Sequence, residues 1–321
     1  MRRNAPGQLV PLSRTPLVPI ELRNSDAIIW CKLEYLNPSG STKDRIAFHI
    51  LGEAIRTGQL SAGDRVVEAS SGSTSIALAM TCAQMGLRFT AVMPESVSRE
   101  RILMIRAYGG DIVLTASDAG VHGTIERARQ VAAECGAFEP RQFENPLNAE
   151  AHRLGTAREI VEQMEGRHVD AVVSGVGTGG TLVGLHAGMR DAGFDAKPFA
   201  ARPVSTNRSK EASPLACFAE TECCSFSSRI PGVVNNLSTI YRPAELPGLV
   251  ELDIADDLAI ERTRDLIARG FPVGPSSGLN YGAALEAARR LPAGAVIVTV
   301  LPDRMERYFS TELFENLQAR E

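Results

Sequence analysis

The sequence predicts an α/β protein built from parallel-rich sheets covered by helices. Three observations carry that prediction. Short β-branched runs alternate with longer helical stretches, the strand runs are apolar throughout, and three strand-to-helix junctions are rich in glycine or serine. Uninterrupted apolar strands are expected where both faces of a sheet are covered. At 321 residues the chain is long enough for a large core and two lobes.

The elements follow in order. "RVVEA" (65–69) reads as a strand and "IALAMTCAQM" (76–85) as a buried helix. "FTAVMP" (89–94) is the next strand, and "SRERILMIRAYG" (98–109) a helix closed by glycine. "DIVLT" (111–115) and "GTIERARQVAAECG" (123–136) repeat the alternation. "DAVVSGV" (170–176), "TLVGLHAGMRDAG" (181–193), "AIERTRDLIARG" (259–270) and "AVIVTVLP" (295–302) continue it. Residues 202–232 have no clear periodicity and are long for a connection.

Composition narrows the function classes. Apolar residues make up 44% and charged residues 22%, as in an ordinary globular enzyme. A net charge of −4 gives no electrostatic reason to expect nucleic acid. No apolar run reaches the length of a membrane-spanning helix. The two arginines near the N-terminus are not followed by an apolar stretch, so no signal peptide is expected. Cys31, Cys82, Cys135, Cys217, Cys223 and Cys224 form no C-x-x-C pair, which suggests free thiols in a reducing compartment. His49, His122, His152, His168 and His186 are dispersed without ligand spacing, so no metal site is expected.

In open α/β folds, functional residues gather at the carboxyl ends of strands. "GVGTGG" (175–180) lies there, between an apolar strand and an apolar helix. Its glycines let backbone N–H groups converge on an anion, and the next helix adds its positive end. This reads as a phosphate cradle; the alternative is a tight turn with no ligand. "SSGSTS" (70–75) has the same setting, and its hydroxyls and amides suit a carboxylate. Ordinary helix capping would need a single hydroxyl. Lys43 stands in "NPSGSTKDR" at a helix start, where the local field and burial would lower its pKa. A lone lysine is most often a solvated charge, but a depressed pKa makes it a nucleophile toward aldehydes. Lysine, phosphate cradle and carboxylate cradle together are the parts needed to hold pyridoxal phosphate and an amino acid.

These motifs resemble the cysteine synthase/cystathionine β-synthase family of fold-type II pyridoxal-phosphate enzymes. The resemblance covers nearly the whole chain, in order. "TPLVPI", "KLEYLNPSGSTKDR", "EASSGSTS", "MPESVSRERILMIRAYGGDIVLT", "QFENPLNAEAH", "GVGTGGTLVG", "GPSSG" and "LPDRMERYFST" carry it. It implies a fold like that of the tryptophan synthase β chain, with a smaller mobile lobe of residues 39–148. Residues 1–38 and 149–321 would form the larger lobe. It implies that Lys43 forms the Schiff base and acts as the base at Cα. Gly177, Thr178, Gly179, Gly180 and Thr181 would hold the phosphate, Ser276 would meet the pyridine nitrogen, and Ser73 would lie at the cofactor's 3′-oxygen. Ser70, Ser71, Gly72, Thr74 and Gln142 would hold the substrate carboxylate. The implied chemistry is β-replacement on an activated serine such as O-acetylserine, through an α-aminoacrylate, giving cysteine or an analogue. A homodimer and a cytoplasmic location are implied as well.

The sequence departs from the family in places. The usual T-S-G-N-T-G loop is S-S-G-S-T-S, so Ser73 replaces an asparagine and Ser75 a glycine. "RIPGV" and the Asp303–Arg304 pair resemble the second O-acetylserine sulfhydrylase isozyme, which accepts larger nucleophiles such as thiosulfate. The vicinal Cys223–Cys224 pair lies in the 202–232 segment and reads as free thiols or as a redox or sulfur-carrying pair. A 2,3-diaminopropionate synthase and a β-eliminating lyase share the cofactor and remain alternatives. A non-catalytic relative with a regulatory role is the alternative from another class.

Overall fold

The structure, a computed structural model, describes residues 12–21, 27–205, 229–233 and 238–315. Cys217, Cys223 and Cys224, and most of the 202–232 segment, lie outside these residues.

Two sheets organise the chain. The larger contains β1 (Leu17–Glu21), β2 (Ile28–Lys32), β6 (Ala171–Gly175), β7 (Lys197–Val204), β8 (Val250–Ala255) and β9 (Val296–Val300), in the order β1-β2-β9-β6-β7-β8. β1 runs antiparallel to β2, and the other neighbours are parallel. The smaller sheet contains β3 (Arg65–Ala69), β4 (Arg88–Pro94) and β5 (Asp111–Thr115), all parallel.

Alternate side chains explain why the central strands are apolar throughout. In the large sheet, Ala171, Val173, Phe199 and Ile297 enter one core cluster, while Val172, Ala200 and Val298 enter another. The first packs against α8 (Asp256–Ala268) and α9 (Pro275–Arg290). The second packs against α6 (Arg158–Met164) and α7 (Gly180–Asp191). The small sheet repeats the pattern. Val66, Phe89, Ala91 and Met93 meet α1 (Lys43–Arg56), α2 (Ser73–Met85) and α3 (Arg99–Ala107), while Val67, Ala69 and Val92 meet α4 (Gly120–Cys135). This is the period-2 geometry of strands covered on both faces. β5 and β8 depart from the expectation: as edge strands they are only partly covered, and Leu114 is half exposed. Among the described residues, no helix is long and apolar enough to cross a membrane.

Two joints fix the start of α1, where Lys43 sits. Beneath it, Arg45 binds Glu34 at 2.6 Å and Glu159 at 2.7 Å, and Lys32 binds Glu159 at 2.7 Å. Burial opposes the Glu34 charge, but Arg45 overrides it and holds the carboxyl at about 2. Removing one partner of such a network would leave a buried charge uncompensated. Above it, the C-terminal segment reaches across. The Thr42 amide donates to Pro302 O at 2.8 Å, and Arg307 donates to the carbonyls of Gly40 (2.8 Å) and Ser39 (2.5 Å). Ser98 Oγ closes the joint by donating to Arg307 O at 2.8 Å.

Candidate functional site

The glycine- and serine-rich junctions converge where the carboxyl ends of β3, β6 and β9 meet the starts of α1, α2, α7 and α9. One chamber is lined by Lys43, Ser73, Gly177, Thr178, Gly179, Thr181 and Ser276, with Asn280 and Asp303. A second, sharing Lys43, Ser73 and Thr178, is lined by Ser70, Ser71, Thr74, Arg101, Gln142 and Tyr308. Lys43 therefore faces both cradles. Of the expected residues, Gly72 and Gly180 do not line a chamber wall. They shape it from behind.

Lys43 is the first residue of α1. Desolvation lowers its pKa, partly countered by the charges of Asp303 and Glu34. An amine that sheds its proton more readily is a better nucleophile toward a carbonyl.

At the start of α7, Gly179 has φ +77° and occupies the N-cap, so no side chain caps the helix. Apart from the Gly180 amide, which donates to Thr178 Oγ1 at 3.4 Å, the amides of the first turn are left for an anion, reinforced by the helix dipole. Gly180 is required by close approach: a Cβ there would lie 2.6 Å from Asn148 Cγ and overlap its Oδ1. Asn148 Nδ2 donates to Thr178 Oγ1 at 2.9 Å and to Gln142 O at 2.8 Å. One buried amide thus braces both cradles. His152, in a wide π turn (His152–Ala157), hydrogen-bonds Thr181 Oγ1 at 3.2 Å and Thr156 Oγ1 at 2.9 Å. Burial, reinforced by the Lys43 charge, pushes its pKa to about 3, so this imidazole is neutral.

The serine-rich loop over residues 70–75 is held by its own partners. Ser70 Oγ accepts from the amides of Gly72 (3.0 Å) and Ser75 (3.3 Å). Gln142 accepts from Thr74 Oγ1 at 2.7 Å and donates to Ala69 O at 2.7 Å. Its amide keeps one further N–H for a ligand. Beneath it, burial raises Glu68 to about 8, although the amides of Ala69 and Gln142 donate to its two oxygens. Ser75, where the family has glycine, is fully buried without disturbing the helix, and its Oγ has no partner. Ser73 Oγ donates to Asp303 Oδ2 at 3.0 Å, and Tyr308 OH donates to the same oxygen at 2.7 Å.

These residues fit pyridoxal phosphate. An uncapped helix start suits its phosphate, a desolvated amine its aldehyde, and the Ser276 hydroxyl at the start of α9 its ring nitrogen. The family profile described as pyridoxal-phosphate dependent enzyme matches residues 10–303. The chain belongs to that family. It is an α/β fold-type II pyridoxal-phosphate enzyme of the cysteine synthase/cystathionine β-synthase group. The cysteine synthase of Staphylococcus aureus (strain Mu50) is 38% identical over 309 residues, 94% of each chain. The O-ureido-L-serine synthase of Streptomyces lavendulae is 36% identical over 315 residues, covering 95% of this chain and 91% of that one. The crystal structure of a hydrogen sulfide-producing enzyme from Fusobacterium nucleatum superposes with a TM-score of 0.82 at 31% identity, covering 95% and 90%.

Asp303 and Arg101, which line the chambers, and Asn148 and His152, which brace Thr178 and Thr181 behind them, carry no role in the sequence reading. Asn148 and His152 lie inside the quoted "QFENPLNAEAH", Asp303 inside "LPDRMERYFST" and Arg101 inside "SRERILMIRAYG". No local pattern marks them; the partners that tie them to the site, Thr178, Thr181, Ser73 and Tyr308, are remote in sequence from Asn148, His152, Asp303 and Arg101 respectively.

Proposed function

We propose that this enzyme carries out β-replacement on an activated serine such as O-acetylserine, joining a sulfur nucleophile to give cysteine or an S-substituted analogue. The observation that carries the reading is that one desolvated lysine faces both an anion cradle and a hydroxyl-rich loop. Pyridoxal phosphate, when bound, supplies an aldehyde that captures the amino acid and an electron-withdrawing ring that acidifies its Cα.

The chain's own residues do the rest. Lys43 would hold the cofactor and would take the proton from Cα and return it. Gly177, Thr178, Gly179, Gly180 and Thr181 bind the phosphate, with Asn148 and His152 fixing Thr178 and Thr181. Ser276 would donate to the ring nitrogen without charging the ring. Ser73, hydrogen-bonded to Asp303, would lie near the 3′-oxygen. Ser70, Ser71, Gly72, Thr74 and Gln142 bind the α-carboxylate and fix the Cα–H bond toward Lys43. The reading takes residues 39–148 as a mobile lobe, residues 1–38 with 149–321 as the fixed one, and a cytoplasmic homodimer as the working form. "RIPGV" and Asp303–Arg304 support a preference for nucleophiles larger than sulfide, as in the second sulfhydrylase isozyme.

The test is product analysis by mass spectrometry with O-acetylserine and sulfide. Cysteine is expected. Its absence from protein that keeps its cofactor would overturn the sulfur reading. A second reading, replacement by a different nucleophile, is favoured by the 36% identity to O-ureido-L-serine synthase. The same assay with amine and hydroxyurea donors separates it, and pyruvate formation would reveal elimination.

A further inference from the structure

Arg101, in the first turn of α3, is only 5% exposed, yet it lines the chamber shared by Lys43, Ser70, Thr74 and Gln142. Among the described residues, its guanidinium makes no hydrogen bond and no ion pair, and its Nε is buried without a partner. The other deeply buried arginines are held by hydrogen bonds: Arg45 by Glu34 and Glu159, and Arg307 by two backbone carbonyls, although its Nε, like that of Arg101, has no partner. Asp303, an acid on the neighbouring wall, accepts from Ser73 and Tyr308 rather than from Arg101. A buried cation without a counter-charge is costly, and an anionic ligand in the chamber would relieve that cost.

Its position is set in advance. The guanidinium stacks over the Tyr308 ring, 4.9 Å from the centroid. Its stem lies against Gly72, where a Cβ would stand 2.8 Å from Nε. The fork is thus held rigid at the chamber wall, and a rigid fork is suited to the paired oxygens of an oxyanion. The α-carboxylate already has neutral donors in Ser70, Ser71, Thr74 and Gln142.

We propose that Arg101 binds a second oxyanion carried by a reactant, separate from the α-carboxylate. This rests on the β-replacement reading and deepens it. The oxyanion belongs either to the leaving group, as in a phosphate ester of serine, or to the incoming nucleophile, as in thiosulfate. In the first case the Cβ–O bond breaks, its electron pair leaves with the phosphate, and the Cα proton goes to Lys43. In the second, the nucleophile's sulfur bonds to Cβ and Lys43 returns the proton to Cα. In both, Arg101 neutralises charge that the hydroxyl loop does not.

Two assay arms test it in the cofactor-loaded protein and its Arg101→Gln and Arg101→Lys variants. One compares O-phosphoserine with O-acetylserine, using sulfide. The other compares thiosulfate with sulfide, using O-acetylserine. The ratio of kcat/KM for the anionic reactant to that for the neutral-group reactant, or to sulfide, should fall about 30-fold in Arg101→Gln in one arm. Arg101→Lys, which keeps the charge, should retain most of the ratio. The arm that moves identifies the reactant bearing the anion. Ratios unchanged in both arms, or parallel loss with every reactant, would overturn the proposal. Titration of inorganic phosphate and of thiosulfate against the bound cofactor's fluorescence reads the same site without turnover. Weaker binding of either ion in Arg101→Gln supports the proposal, and unaltered binding of both overturns it. An inactive but anion-binding wild type would thus reject β-replacement while sustaining the anion site.

Discussion

Replacing Gly180 by alanine tests whether the two cradles rest on one support. The added methyl would lie 2.6 Å from Asn148 Cγ and 3.2 Å from its Nδ2. Asn148 is 1% exposed and cannot swing into solvent without abandoning its bonds to Gln142 O and Thr178 Oγ1. Losing two buried hydrogen bonds costs about 2–3 kcal/mol. Overpacking adds about 1–3 kcal/mol. Gly180→Ala should therefore cost about 3–6 kcal/mol, and Asn148→Ala about 2–3 kcal/mol. In the double variant, the atoms that the methyl strikes are gone. Its cost should stay near that of Asn148→Ala alone, a coupling of about 3–6 kcal/mol. Urea denaturation, followed by backbone circular dichroism and by cofactor absorbance, measures all three variants. Additivity to within about 0.5 kcal/mol would refute the shared support.

Ser75→Ala should be neutral or stabilising by about 1 kcal/mol, because it removes a buried hydroxyl with no partner; a loss of thermal stability would contradict this. Glu68 should make stability fall as pH rises from about 4.5 to about 8. Its folded pKa is raised to about 8, so the native state holds a proton that the unfolded chain releases. In Glu68→Gln that slope should vanish, and an unchanged pH profile of denaturation would refute the assignment. Acid should act through His152 in the opposite sense. Its pKa is lowered to about 3, so its contribution is complete above about 6.5 and is lost as pH falls toward 3. His152→Gln should flatten the stability profile over that window.

The α/β alternation was readable because central strands covered on both faces leave uninterrupted apolar runs. Four strands escaped notice; nothing in the structure explains β2 (Ile28–Lys32), but the other three have physical reasons. β1 carries Pro19 and pairs antiparallel at a sheet edge, and β7 carries Pro198 and Pro203. Proline ordinarily argues against a strand. β8 alternates because it is an edge. The end of β7 also takes Arg202–Val204 out of the segment expected to be irregular. The site divides the same way. Lys43 and the glycine and serine loops are local motifs, legible one at a time. Ser73 and Asp303 meet across 230 residues, and Asn148 reaches Thr178 across 30. Such pairs exist only after the sheets have assembled. Ser75 shows the converse: it stands in for the family's glycine, and the helix start accommodates its side chain fully buried.

The account rests on Lys43 as the cofactor's attachment point. Borohydride reduction of the purified enzyme, followed by peptide mass mapping, reads this directly. The added phosphopyridoxyl mass should fall on the peptide containing Lys43 and disappear in Lys43→Ala together with turnover. A label on Lys32, Lys197 or Lys210, the chain's other lysines, would contradict it.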